Sequence, residues 1–168
     1  MRPLKVLSVL SMVAAVGAPA VAQTRKAAAP VANAAQNAAI DPARTVEIIG
    51  TDDMKYSVTR ITARRGEQLR IRLISKGTIP KVAMAHNVVV LQMGTDVEKF
   101  VNAGAPHRAA DFIAPAMKDQ VIAKTRMAGP GETVDVVFTV PRKAGTYPFV
   151  CTFAGHYQAG MKGVLAVR

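Results

Sequence analysis

Between Thr45 and Val167 apolar side chains recur at every second position, in short runs separated by turn signals. Leu69, Ile71 and Leu73 alternate with Arg70 and Arg72, and Val134, Val136, Phe138 and Val140 alternate with Thr133, Asp135 and Thr139. Successive side chains of a strand point to opposite faces, so this pattern buries one face of a sheet and wets the other. Thr45–Gly50, the run carrying Tyr147, Phe149 and Cys151, and Met161–Val167 read in the same way. Met84–Leu91 (MAHNVVVL) is more densely apolar and predicts a more buried strand, and Val121–Arg126 predicts a further short one. Gly66, Lys76-Gly77, Gly129-Pro130-Gly131 and Lys143-Ala144-Gly145 supply the turns between them. Many short strands with regular turns predict an all-β sandwich. One stretch departs from period two: Val97, Phe100 and Val101 have helical spacing within Asp96–Ala103. The surrounding Thr95–Gln120 therefore reads as an insertion carrying a short helix.

The alternation begins only after two different segments. Residues 1–22 open with Arg2 and Lys5, continue as an apolar run from Val6, and end in Ala20-Val21-Ala22, a small-x-small cleavage site. This is the layout of a secretory signal peptide, and its apolar run is shorter than the ~20 residues of a spanning helix. The expected destination is the periplasm, with no stable membrane insertion once the signal is removed. Residues 23–43 hold nine alanines, Pro30 and Pro42, and few large apolar groups. Such a segment buries little surface and reads as a flexible linker. The folded domain is expected over residues 44–168.

Cysteine and charge remove several classes. One cysteine in 168 residues excludes an internal disulfide framework, a structural zinc ribbon and an iron–sulfur protein. The net charge of +11 invites a nucleic-acid partner. However, the basic residues Arg60, Arg64, Arg65, Arg70, Arg72, Lys76 and Lys81 are scattered, without interleaved aromatics on which bases stack. No nucleic acid is expected; the charge would instead steer an acidic partner or an anionic surface.

The chemistry concentrates in Cys151-Thr-Phe-Ala-Gly-His156-Tyr-Gln-Ala-Gly-Met161, a loop between the last two predicted strands. It brings together a thiol, an imidazole and a thioether, and His86 lies 65 residues upstream of Cys151 in the buried run. Two imidazoles, a thiolate and a weak thioether are the donor set of a mononuclear blue-copper site. Thiolate and thioether suit Cu(I), and imidazole suits both oxidation states. Met161 would be a long axial ligand. A Cys–His nucleophile is the enzymatic alternative, but it lacks an evident third orienting group and leaves Met161 idle. Zinc is disfavoured because thioether is not among its usual ligands. His107, in the insertion, reads as a surface-loop residue.

These segments resemble a cupredoxin of the azurin and auracyanin type. The resemblance runs from about Val46 to Arg168. It covers Ser75-Lys-Gly-Thr-Ile-Pro80-Lys, Met84-Ala-His86-Asn87, Val121-Ile-Ala-Lys-Thr-Arg, Gly129-Pro-Gly-Glu, Cys151-Thr-Phe-x-Gly-His156 and Met161-Lys-Gly. It implies an eight-stranded Greek-key sandwich with a helical flap. It also implies one copper ion per chain held by His86, Cys151 and His156, with Met161 axial and the Ala85 carbonyl as a distant further contact. Asn87 and Thr152 would brace the ligand loop by hydrogen bonds. Four residues separate His156 from Met161, where azurins usually have three, a spacing closer to auracyanin. Ala85 replaces the usual Gly, Ala154 the usual Pro, and the remote azurin disulfide is absent.

The function so implied is not enzymatic: a periplasmic, monomeric carrier of single electrons between redox proteins such as a cytochrome or a terminal reductase or oxidase. His156 would be the exit route, beneath an apolar docking patch drawing on Met54, Met84, Ala154 and Tyr157. A copper-handling protein, for delivery or storage, is the alternative.

Overall fold

The computed structural model describes residues 43–168. The signal peptide and linker expected over residues 1–43 fall outside these residues, save Ala43.

Among the described residues nine strands and one α-helix follow in chain order: β1 (Arg44–Thr51), β2 (Lys55–Tyr56), β3 (Arg60–Ala63), β4 (Gln68–Lys76), β5 (Val89–Leu91), α1 (Val97–Gly104), β6 (Val121–Lys124), β7 (Thr133–Thr139), β8 (Gly145–Val150) and β9 (Lys162–Val167). They form two sheets, one in the order β2-β1-β4-β7 and the other β3-β9-β8-β5-β6. β1 runs parallel to β4 and β3 parallel to β9, while the other neighbours are antiparallel. The chain changes sheet between β2 and β3, β3 and β4, β4 and β5, β6 and β7, and β7 and β8. The all-β sandwich with a helical insertion is thus the observed fold.

The alternation explains the core. Leu69, Ile71 and Leu73 of β4 are fully buried and meet Tyr147, Phe149 and Leu165 of the facing sheet in one cluster. Each such aliphatic side chain contributes about 1.5–3 kcal/mol by leaving water. On the wet face of β4, Arg72 meets Asp135 of β7 at 3.0 Å. That pair is exposed and stabilises little, about 0–1 kcal/mol.

β5 is apolar at every position because it is covered on both faces. Val90 joins the main core, whereas Val89 and Leu91 pack with Val150 beneath Phe100 and Val101 of α1. The helix starts where Asp96 caps it, its carboxylate accepting the Lys99 N–H at 3.0 Å. Two short 3₁₀ turns, Arg108–Ala110 and Pro115–Gln120, complete the insertion.

Two expectations need correction. The strand predicted over Met84–Leu91 starts only at Val89. His86 makes an isolated antiparallel bridge to Ala128. Beyond it, side chains take the backbone groups a neighbouring strand would use: the Tyr56 hydroxyl donates to the Asn87 carbonyl, and Thr125 Oγ1 accepts the Val88 N–H at 3.0 Å. Strand β2 raises the described number from the implied eight to nine. It is two residues long, too short for periodicity to register, and follows a turn with Met54 at φ 55°.

Candidate metal centre

Three chain segments converge at one end of the sandwich. β8 ends at Val150 and delivers Cys151; the loop that follows carries His156 and returns at Met161 into β9; the segment before β5 contributes His86. The loop is closed by its own backbone. The Met161 N–H donates to the His156 carbonyl at 2.9 Å, and the Cys151 N–H to the Met161 carbonyl at 3.1 Å. Gly155 and Gly160 take φ of 87° and 100°, a region that side chains with a Cβ rarely enter, and so permit the reversal. The Lys55 ammonium donates to the Ala159 carbonyl and ties the loop to β2.

The sulfur of Cys151 and the ring nitrogens of His86 and His156 lie within 4.8 Å of one another, all three residues buried. Cys151 Sγ is 3.4 Å from His156 Nδ1, and the two imidazole rings stand 5.1 Å apart at 44°. His86 Nδ1 is buried without a hydrogen-bond partner among the described residues. A buried nitrogen left open in this way is costly unless something outside the protein's own donors satisfies it. Met161 is fully buried. A Cβ at Gly50 of β1 would lie 3.0 Å from Met161 Cε and 3.1 Å from His86 Cδ2, so the thioether methyl and the imidazole edge converge on that glycine. The Ala85 carbonyl borders the cluster, 3.9 Å from Cys151 Sγ. His107 is not part of it.

Burial keeps the donor groups of this cluster uncharged when nothing is bound to them. Burial pushes the Cys151 thiol up to about 12, against the pull of backbone N–H groups of Asn87 and Phe153 on the sulfur. Burial lowers His156 to about 4, helped by the neighbouring His86, which burial also lowers. The imidazoles are therefore neutral at neutral pH, and a cation that binds the sulfur displaces its proton. Soft sulfur beside neutral imidazole fits copper.

A second set of contacts holds the donors. Asn87 Nδ2 donates to Thr152 Oγ1 at 2.8 Å, and the Thr152 N–H donates to Asn87 Oδ1 at 2.9 Å. Thr152 Oγ1 also donates to the Asp111 carbonyl at 2.6 Å, which joins the helical insertion to the loop. Aromatic packing was not anticipated. Phe153 lies 4.6 Å from the His156 ring and 5.0 Å from Phe112 of the insertion. Of the proposed docking patch, Ala154 is exposed and Met54, Met84 and Tyr157 are half-buried. Val82 is an exposed apolar residue, at 67%.

Residues 43–168 match the family described as copper binding proteins, plastocyanin/azurin family. Auracyanin-B of Chloroflexus aurantiacus is 35% identical over 128 residues, a match that takes in 75% of this chain and 53% of that protein. The chain therefore spans about half the length of that relative. Azurin of Pseudomonas aeruginosa is 37% identical over 128 residues, covering 74% of this chain and 84% of the azurin. Among solved structures, auracyanin A of Chloroflexus aurantiacus, described as a "blue" copper protein, superposes with a TM-score of 0.65 at 33% identity, over 74% of this chain and 98% of that one. With its whole described region matched and its fold shared, this chain belongs to the plastocyanin/azurin family of copper-binding proteins, as a blue copper cupredoxin of the azurin and auracyanin kind.

Proposed function

We propose that the protein is an exported one-electron carrier, working in the periplasm, in which His86, Cys151, His156 and Met161 hold a single copper ion. The observation that carries this reading is the convergence of three buried donors within 4.8 Å, one of them with an unsatisfied nitrogen. A bound copper ion supplies the chemistry, a one-electron change between Cu(I) and Cu(II). The chain supplies the rest. Cys151 and the two imidazoles satisfy both oxidation states, and the Met161 thioether is the weak fourth donor. The Asn87–Thr152 bonds and the loop backbone keep the donors in place when the charge changes. Ligands at 2% exposure or less keep water from the site.

His156 lies next to exposed Ala154 and Gly155, and offers the short path between the centre and a docked protein. Met54, Met84 and Tyr157, expected at the docking patch, are half-buried, which suits brief contact, because redox encounters use small interfaces. The partners would be redox proteins such as a cytochrome or a terminal reductase or oxidase, drawn in by the positive charge. Among the described residues no helix is long and apolar enough to cross a membrane. The burial of all four side chains opposes copper delivery, which needs ligands that an acceptor can reach.

Replacement of the sulfur tests the assignment. Cys151→Ser is expected to lose the intense visible thiolate-to-copper absorption while the metal-free protein keeps its β-sheet circular dichroism. Persistence of the intense band would remove Cys151 from the ligand set.

A further inference from the structure

We propose that Tyr56 is a positioning residue that sets the redox balance of the centre by holding the Asn87 peptide against the Cys151 sulfur, an inference that rests on the copper reading above. Tyr56 belongs to the two-residue strand β2 and is 5% exposed. Its ring packs on Phe149 of β8 at 5.7 Å, and its hydroxyl donates to the backbone carbonyl of Asn87. No other described residue donates to that carbonyl. Asn87 is the residue at which three constraints meet. Its backbone N–H points to Cys151 Sγ, its carboxamide bonds Thr152, and its carbonyl is held by Tyr56.

The carboxamide fixes the side chain of Asn87; its main chain is flanked by the His86–Ala128 bridge and by the Val88 N–H on Thr125 Oγ1, and the Tyr56 hydroxyl is the group that holds its own carbonyl. β5 begins at Val89, so no strand ladder holds Asn87. Backbone N–H groups that donate to a thiolate withdraw electron density from it and favour Cu(I), so hydrogen bonding at the sulfur tunes the potential. Freed from Tyr56, the Asn87 N–H would lengthen its contact with the sulfur, and the balance would move toward Cu(II).

The second tyrosine of the core supplies a control. The Tyr147 hydroxyl donates to the Lys143 carbonyl at 2.8 Å, in the turn leading into β8, at the end of that strand away from Cys151. Tyr56→Phe and Tyr147→Phe each remove one hydroxyl and keep the ring, so both are expected to fold. The reduction potential of the copper-loaded protein is measured for both variants. Backbone amide exchange is followed by NMR in the metal-free protein. Tyr56→Phe is expected to shift the Cu(I)/Cu(II) equilibrium toward Cu(II) by about three- to tenfold, tenfold being about 59 mV for a one-electron couple. It is also expected to speed Asn87 N–H exchange about tenfold relative to the β8 amides. Tyr147→Phe is expected to leave both unchanged. An unchanged potential in Tyr56→Phe, or an equal shift in both variants, would overturn the inference. The exchange measurement needs no copper, so Asn87 exchange unaltered by Tyr56→Phe would overturn the positioning role whatever becomes of the copper reading.

Discussion

Asn87 and Thr152 are joined twice, Nδ2 to Oγ1 at 2.8 Å and N–H to Oδ1 at 2.9 Å, although 65 residues separate them in the chain. Each is the immediate successor of a candidate donor, His86 and Cys151. The pair therefore locks two segments of the candidate metal centre together just before β5 begins and just after β8 ends.

Removing that lock is expected to cost stability before any metal is considered. Asn87→Ala deletes two buried hydrogen bonds and leaves a Thr152 N–H without its acceptor, worth about 2–4 kcal/mol in total. Urea unfolding of the metal-free variant measures this. A loss below about 0.5 kcal/mol, the size of an ordinary surface change, would mean that the lock stabilises nothing.

Gly50 is expected to tolerate no side chain. The methyl of Gly50→Ala would press on Met161 Cε at 3.0 Å and on the His86 ring at 3.1 Å. Overpacking of this kind costs about 1–3 kcal/mol. The displaced donors should also weaken copper binding, read by competition with a chelator. Wild-type affinity and stability together would show that neither donor needs the space beside β1.

Met161→Leu nearly conserves volume and so is expected to cost less than about 1.5 kcal/mol in the metal-free protein. The loaded variant should retain copper and show a higher reduction potential, because an electron-rich sulfur has been removed. Voltammetry decides the point, and an unchanged potential would take Met161 out of the ligand set.

Acid should destabilise the metal-free protein through its imidazoles. His156 is held at about 4 in the fold against 6.5 as the ordinary value, by burial first and by His86 second. A depressed folded value means that the unfolded chain takes up the proton first. Stability is then complete above about pH 6.5 and falls as the pH drops toward 4. Denaturant midpoints at pH 7.5, 5.5 and 4.5 measure the slope, and His156→Gln should flatten it. A midpoint that is flat over this window in the wild type would contradict the burial of neutral imidazoles.

Much of this molecule was legible because its determinants are local. Leu69, Ile71 and Leu73 alternate with arginines, and the two sheets follow from such runs. Asp96 caps a helix whose Phe100 and Val101 already mark its inner face. The candidate donors stood out because Cys151, His156 and Met161 share one loop of chemically matched residues. Features set by distant partners left no local mark. The run Met84–Leu91 has strand periodicity throughout, yet Tyr56 and Thr125 side chains replace the ladder before Val89. Phe112 and Phe153 meet only because the insertion folds back over the loop, and Gly50 looks like any strand-end glycine until Met161 and His86 close on it. Tyr56 lay in a segment too short to carry a period.

The most direct test of the central claim is the optical and EPR spectrum of the metal-free protein after one equivalent of Cu(II). The account predicts an intense visible sulfur-to-copper charge-transfer band that saturates at one ion per chain, with a narrow copper hyperfine splitting. A colourless adduct, or a band that fails to saturate at one equivalent, would contradict it.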